Sequence, residues 1–273
     1  MLIKRVITAL VLLPLLIGAI WYLPPAQLYL VFCLAGLIAA WEWAGLMPQA
    51  SRASSQRLVF VAVAAMGMAL VWLARDLAVL ACLGASVWWL FSLHLLRGYP
   101  ENFERRRPGV PAMYLIGLLL LVPTMLALWM LRDMPNGAWR VFFLFFLIFA
   151  ADTGAYLAGK NFGRRKLAPA VSPGKTIEGM LGGMLLCALW GACAGPLIFW
   201  LSTPGEIVML VMLCLIVAAF SVAGDLIESL FKRTAGVKDS GSILPGHGGM
   251  LDRVDSILAG APILALGLSV LQV

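Results

Sequence analysis

The sequence predicts an all-α integral membrane protein, a polytopic bundle of about nine transmembrane helices with its N-terminus in the cytoplasm. Three observations carry that expectation. Of 273 residues, 62% are hydrophobic and only 12% are charged, against about 25% charged in an ordinary soluble domain. Apolar runs of spanning length recur from one end of the chain to the other, and the cations gather in alternate connections. The chain reads as one membrane domain over 1–273, generic helices up to 131 and helices with polar loops from 140 onward.

A helix that crosses the hydrocarbon needs ~20 mostly apolar residues. Nine stretches qualify, at roughly 6–23, 28–47, 58–74, 77–96, 112–131, 140–159, 179–200, 206–224 and 256–272. The first, "VITALVLLPLLIGAIWYL" after Lys4 and Arg5, is long for the apolar core of a secretory signal. No small-x-small cleavage site follows it before Pro24, so it reads as a retained span. Only Arg75 and Asp76 divide the third stretch from the fourth, and the eighth continues as helix past the membrane edge to about Leu230. This layout places 17 of the 20 Lys and Arg on the N-terminal side, leaving Arg75, Arg132 and Arg140 on the other. Such an asymmetry orients the chain with that side cytoplasmic. The net charge of +7 then attracts anionic lipid, and nothing in it points to nucleic acid.

Cys33, Cys82, Cys187, Cys193 and Cys214 all lie in apolar runs without a C-x-x-C pair, which excludes a disulfide framework and a zinc site. The spacings Gly179–Gly183 and Gly191–Gly195 suit close helix packing. His94 reads as a structural residue near the end of the fourth span, and Arg105–Arg107 as a headgroup anchor. Glu42, in "WEWAGL", stands out among the early acidic residues because it belongs to a span rather than to a turn, close to the cytoplasmic interface.

The richest polar stretch is "GDLIESLFKRTAGVKDSGSILPGHGGMLDRVDS", residues 224–256. On a helix continuing from the eighth span, Asp225, Glu228 and Ser229 share a face, and Glu228 and Lys232 form an i, i+4 pair. "TAG" breaks that helix and "SGSILPGHGG" is irregular; the last helix starts near Gly249, with Asp252, Asp255 and Ser256 on one face. Carboxylates from two helices suit Mg²⁺, which prefers oxygen ligands and keeps waters and substrate phosphates in its shell. Lys232, Arg233, Lys238 and Arg253 can neutralise phosphate oxygens, and free amides around His247, Gly248 and Gly249 at a helix N-terminus favour an anion. Each feature alone has a plain structural use: Asp252 complements the helix dipole, the glycines make a turn, and Glu228–Lys232 is a surface pair. Their joint placement at a membrane edge points to a site, because an ionisable residue costs ~2.5–3.5 kcal/mol at a spanning helix centre.

The second polar stretch is "ADTGAYLAGKNFGRRKLAPAVSPGKTIEGMLGG", residues 151–183. "PGKT" echoes a phosphate-binding loop, but the required earlier glycine is Pro169 and no strand is expected before it, so that reading fails. Ser172 followed by Pro173 resembles a helix cap with a first-turn proline. The competing reading brings Lys175 and the loop amides to a triphosphate, with Asp152 and Glu178 lining the site. Arg164, Arg165 and Lys166 read as a lipid-surface patch.

Ser229-x-Phe231-Lys232-Arg233, then Lys238-Asp239-x-Gly241, then Leu244-Pro245-x-His247-Gly248-Gly249-Met250-x-Asp252-Arg253-Val254-Asp255 resembles the full signature of the phosphatidate cytidylyltransferases (CDP-diglyceride synthases). The match runs over 27 positions, Ser229 to Asp255, without a departure. The resemblance is strong over roughly 150–273, and the N-terminal half matches only as generic membrane helices. It implies that CTP and phosphatidic acid give CDP-diacylglycerol and pyrophosphate, with Mg²⁺, at the cytoplasmic membrane face, in a multi-pass homodimer; the short N-terminus and compact loops point to a bacterial inner membrane. It also implies that Asp225 and Asp252 ligate the metal; whether Asp255 lies by a second cation stays open. On this reading Asp225, Asp252, Lys232 and Arg233 are catalytic. Asp152, Ser172, Lys175, Glu178, Glu228, Ser229, Lys238, Asp239, His247, Gly248, Gly249 and Arg253 are expected around the substrates. A CTP transferase for another lipid phosphate remains an alternative. An ion-coupled transporter predicts mid-span charges and related halves, and neither is seen in the sequence.

Overall fold

The computed structural model describes residues 2–48, 53–105, 107–246 and 248–272, so the expectation for His247 lies outside the described residues. Among the described residues ten α-helices follow one another: α1 (Leu2–Tyr22), α2 (Pro25–Leu46), α3 (Ser54–Leu73), α4 (Ala78–Ser92), the short α5 (Glu101–Arg105), α6 (Val110–Asp133), α7 (Gly137–Phe162), α8 (Ile177–Phe199), α9 (Pro204–Thr234) and α10 (Leu251–Leu271). Among the described residues eight helical segments are long and apolar enough to cross a membrane, and α1 adds the apolar run Leu10–Tyr22. A single 3₁₀ turn at Arg75–Leu77 divides α3 from α4 where the two charges interrupt the apolar run. Helix α9 runs to Thr234, well beyond its apolar part, as its Glu228–Lys232 pairing predicts. Its start is a capping box: the Thr203 hydroxyl accepts from Glu206 N–H and the Glu206 carboxylate accepts from Thr203 N–H, with Pro204 in the first turn.

Two expectations are corrected, the first being that no strand precedes Pro173: a short one, Lys166–Ala168, does. Ser172 and Pro173 do not open a helix; they belong to β2 (Ser172–Thr176), which pairs antiparallel with β1 (Lys166–Ala168). The cap of α8 is Thr176, whose hydroxyl accepts from Gly179 N–H at 3.1 Å. The decisive contacts come from outside the local sequence. Ile177 N–H donates to Arg165 O at 2.9 Å, and the Glu178 carboxylate accepts from Arg164 N–H (3.0 Å) and Arg165 N–H (3.1 Å). Together they close the hairpin before the helix begins.

Helices α6 and α10 form the centre of the bundle, and α10 is buried at every position from Ser256 to Ala265. Pro262 interrupts its hydrogen-bond ladder, since proline has no N–H to reach the carbonyl four residues back. That carbonyl, Leu258 O, accepts instead from Trp89 Nε1 of α4 (3.1 Å) and from the Thr124 hydroxyl of α6 (3.0 Å), which it shares with Leu120 O (2.7 Å). A defect in one helix thus becomes the junction of three.

Elsewhere the helices meet backbone to backbone. A Cβ at Gly154 would lie 2.5 Å from Gly182 O, and one at Gly183 would lie 2.6 Å from Ala151 O. Only glycine permits that approach of α7 to α8, the use of small residues expected where lipid gives no hydrophobic drive for association. Gly224 does the same between α9 and α10, where a Cβ would lie 2.5 Å from Asp255 O. These crossings bring Asp152, the hairpin and Asp225 to one end of the bundle.

Trp89→Phe and Thr124→Val should each lower thermal stability in detergent modestly, because the other donor still serves Leu258 O. The double variant should lose more than the sum of the singles, by about 1–3 kcal/mol for a carbonyl left unpaired; simple additivity would contradict the shared-acceptor account.

Candidate active site

At the end of the bundle where α9 stops and α10 starts, the chain gathers charges that its composition otherwise avoids. Two clusters form, each centred on a lysine. In the first, Lys232 Nζ lies 2.5 Å from Glu228 Oε2 on its own helix and 2.6 Å from Asp252 Oδ1 on α10. All three side chains are nearly buried. Asp252 also accepts from Ser240 N–H (3.0 Å to Oδ2) and Gly249 N–H (2.8 Å). Glu228 Oε1 is buried with no hydrogen-bond partner.

In the second cluster Lys175 Nζ, projected from β2, lies 2.6 Å from Asp225 Oδ2. The Ser229 hydroxyl donates to Asp225 Oδ1 at 3.2 Å, one helical turn away as the spacing predicts. This cluster is open: Asp225 and Lys175 line a cleft of about 380 Å³ together with Asp152, Lys160, Thr176 and Ser256. Asp152 lies within electrostatic reach of Asp225, Lys175 and Arg253, and Asp255 within reach of Asp225, Lys175 and Lys232. Two lysines and two carboxylates therefore line the one cleft, a combination that accepts phosphates and a hard cation together.

The structure gives other nominated residues different work. Glu178 is turned to the hairpin amides and to Arg165 Nε (3.2 Å), and the cleft is lined by Gly174, Lys175 and Thr176 rather than by Ser172. Arg233 Nε donates to Val171 O at 3.3 Å, tying the end of α9 to the hairpin turn. Lys238 and Asp239 are exposed on the loop after α9. Arg253 borders an apolar groove that includes Leu12, Leu15, Phe32 and Val254. Two amides at the start of α10 are taken by carboxylates: Gly249 N–H donates to Asp252 and Leu251 N–H donates to Glu42 Oε2 at 2.7 Å. Gly248 adopts φ +83°, and a Cβ there would lie 2.9 Å from Asp252 Oδ2, so glycine is needed for the turn itself.

Sequence reasoning did not connect Glu42 with this end of α10, and left Lys160 of the cleft wall unassigned. Glu42 carried one signal, a carboxylate inside an apolar span. Its partners lie some two hundred residues away, a relation one sequence does not display.

Among the described residues no three His, Cys, Asp or Glu side chains stand close enough to cage a metal ion. Mg²⁺ does not require a cage, since it is commonly bound by one or two carboxylates plus substrate phosphates. Asp225 fits that use, because it faces the open cleft and has hard oxygens. Asp252 does not face it unencumbered: its two oxygens accept from Lys232 Nζ and from the Ser240 and Gly249 amides.

The sequence profile of the cytidylyltransferase family matches residues 3–271. The chain belongs to that family. It is 38% identical over 270 residues to the phosphatidate cytidylyltransferase of Pseudomonas aeruginosa, covering 97% of this chain and 96% of that protein. It is 32% identical over 290 residues to the phosphatidate cytidylyltransferase of Haemophilus influenzae, covering 97% and 98%. A shorter match, 46% identical over 129 residues, links it to the Staphylococcus aureus enzyme of the same name, covering 47% of this chain and 48% of that one. The first two matches extend over the N-terminal helices, which by residue pattern alone are generic.

Replacing Lys232 by Met should destabilise this family member by about 3–5 kcal/mol, since two buried carboxylates lose their shared cation. Adding Glu228→Gln to that variant should restore part of the loss in thermal unfolding. No recovery would mean that Lys232 acts by packing rather than by charge.

Proposed function

We propose that this chain transfers a cytidylyl group from CTP to phosphatidic acid, giving CDP-diacylglycerol and pyrophosphate. The observation that carries the reading is the cleft at the membrane-edge end of α9, where Lys175 and Asp225 pair among further charged groups. Family membership and two near full-length phosphatidate cytidylyltransferase relatives support the choice of substrates.

An oxygen of the lipid phosphate monoester attacks the α-phosphorus of CTP in line. The bond between that phosphorus and the bridging oxygen to the β-phosphorus breaks, and pyrophosphate leaves with that oxygen. The substrate brings its own nucleophile, so no side chain need become covalently attached. What the protein supplies is position and compensating charge. Lys175, at the cleft wall, turns from Asp225 to the triphosphate, and Lys160 extends the same cationic rim. Arg253, bordering the apolar groove, meets the lipid phosphate. Lys232 and Asp252 keep the α9–α10 junction rigid beneath the reacting groups. When bound, Mg²⁺ would neutralise charge on the triphosphate, held by Asp225 with Asp255 nearby, and with Asp252 if the lysine releases it.

The site faces the cytoplasm, where CTP is found, and the N-terminus lies on the same side; the distribution of Lys and Arg supports both. Bacterial relatives along nearly the whole chain support an inner-membrane location, and the resemblance to the family supports a homodimer.

The test uses purified protein in detergent, α-phosphate-labelled CTP and dioleoyl phosphatidic acid, with and without Mg²⁺. Labelled CDP-lipid should form only with the cation, with one pyrophosphate per lipid. Asp225→Asn should lower turnover by about 100-fold or more while the protein stays folded. Wild-type turnover in that variant would remove Asp225 from the mechanism. Absence of labelled lipid from folded wild-type protein would remove the reaction.

A further inference from the structure

The start of α10 has no cap of its own. Met250 stands at the N-cap position and offers no side-chain hydrogen bond, although the first amides of a helix have no partner within it. One of these amides is served from α2, at the other end of the sequence. Glu42 Oε2 accepts from Leu251 N–H at 2.7 Å and from the Ser240 hydroxyl at 3.1 Å. Glu42 is 4% exposed as a residue, and the other oxygen of its carboxylate is buried with no hydrogen-bond partner.

The loop is shaped to receive it. A Cβ at Gly241 or at Gly249 would collide with the Glu42 carboxylate, so two glycines of the polar segment are needed for this side chain. Ser240 joins Glu42 to the first cluster directly: its hydroxyl donates to Glu42 while its amide donates to Asp252. Gly249 is likewise shared, its amide on Asp252 and its Cα against Glu42. Glu42 and Asp252 therefore grip one loop from two sides, and Asp252 in turn holds Lys232.

We propose that Glu42 is a positioning residue for the transfer reaction: a distant helix cap that fixes Ser240 and the Gly249–Leu251 helix start and, through them, Asp252 and Lys232. A buried carboxylate with one oxygen unsatisfied is costly in hydrocarbon surroundings. A fold that needed only a filler between α2 and the loop would place an apolar side chain there. The glutamate is retained because only an acceptor that reaches from α2 can close the open helix end. The N-terminal helices thus contribute to the site rather than only to the scaffold.

The proposal rests on the cytidylyl-transfer reading for its kinetic arm and on geometry alone for a second arm. In the kinetic arm, Glu42→Ala should lower kcat by about 100-fold, as misplacement of a reacting constellation does, with the KM for CTP nearly unchanged. Glu42→Gln keeps an acceptor oxygen for Leu251 N–H and the Ser240 hydroxyl, and should recover to within about tenfold of wild type. Wild-type kcat in Glu42→Ala, or a Gln variant as impaired as Ala, would overturn the proposal. Should Glu42→Ala fail to fold, Ser240→Ala carries the test, since it removes only the hydroxyl link. It should lower kcat with folding intact, and wild-type turnover there would overturn the idea. In the second arm, amide hydrogen exchange of the loop is compared between wild type and Glu42→Gln or Glu42→Ala. Exchange at Ser240 and Leu251 should accelerate in the Ala variant and stay near wild type in the Gln variant, whatever the substrate. Unchanged exchange in Ala would overturn the clamp even if the transfer reaction stands.

Discussion

The polar end of this molecule depends on one ammonium group. Lys232 lies between Glu228 on its own helix and Asp252 on the next, at 2.5 and 2.6 Å, and so adds a charged tie between α9 and α10 beside the buried Ile227, Leu230, Phe231 and Leu251. Two carboxylates so little exposed would leave negative charge unbalanced without it. The surrounding amides of Ser240 and Gly249 disperse that charge by donating to Asp252. Asp225 and Asp255 lie within reach of the same network, so the open cleft inherits its shape and field from a closed cluster behind it.

The apolar scaffold places these charges by equally local means. Glycines at the α7–α8 and α9–α10 crossings let backbones touch, which brings the hairpin lysine and the α9 aspartate to one cleft. Pro262 leaves a carbonyl unserved in the middle of α10, and donors from α4 and α6 converge on it. In both cases a residue that weakens its own helix strengthens the contact between helices. The same logic appears at Glu42, where an uncapped helix end is completed from α2.

What was legible in the sequence followed from short-range rules. Apolar length located the eight spanning segments and the apolar run of α1, charge spacing located the Glu228–Lys232 pair and set Ser229 on the face of Asp225, and residue types in the polar segments located Asp152, Lys175 and Asp225 of the cleft. What was not legible depended on partners far along the chain. Ser172–Pro173 carries a sound local signal for a helix start, yet Glu178 and Arg165 close a hairpin across it and pass the cap to Thr176. The glycines before α10 have the composition of an anion-binding turn, yet their amide and free space are taken by Asp252 and Glu42. Periodicity registers none of these relations.

The central claim is that Lys232 and Asp252 act as one coupled unit holding the site together across two helices. A double-mutant cycle of Lys232→Met and Asp252→Asn, read as stability in detergent, measures that coupling directly. The account predicts a coupling of about 1.5–3 kcal/mol, the double variant being less damaged than the two single losses summed. A coupling near zero would mean that the two side chains contribute independently, and the ion pair would then not be what joins α9 to α10.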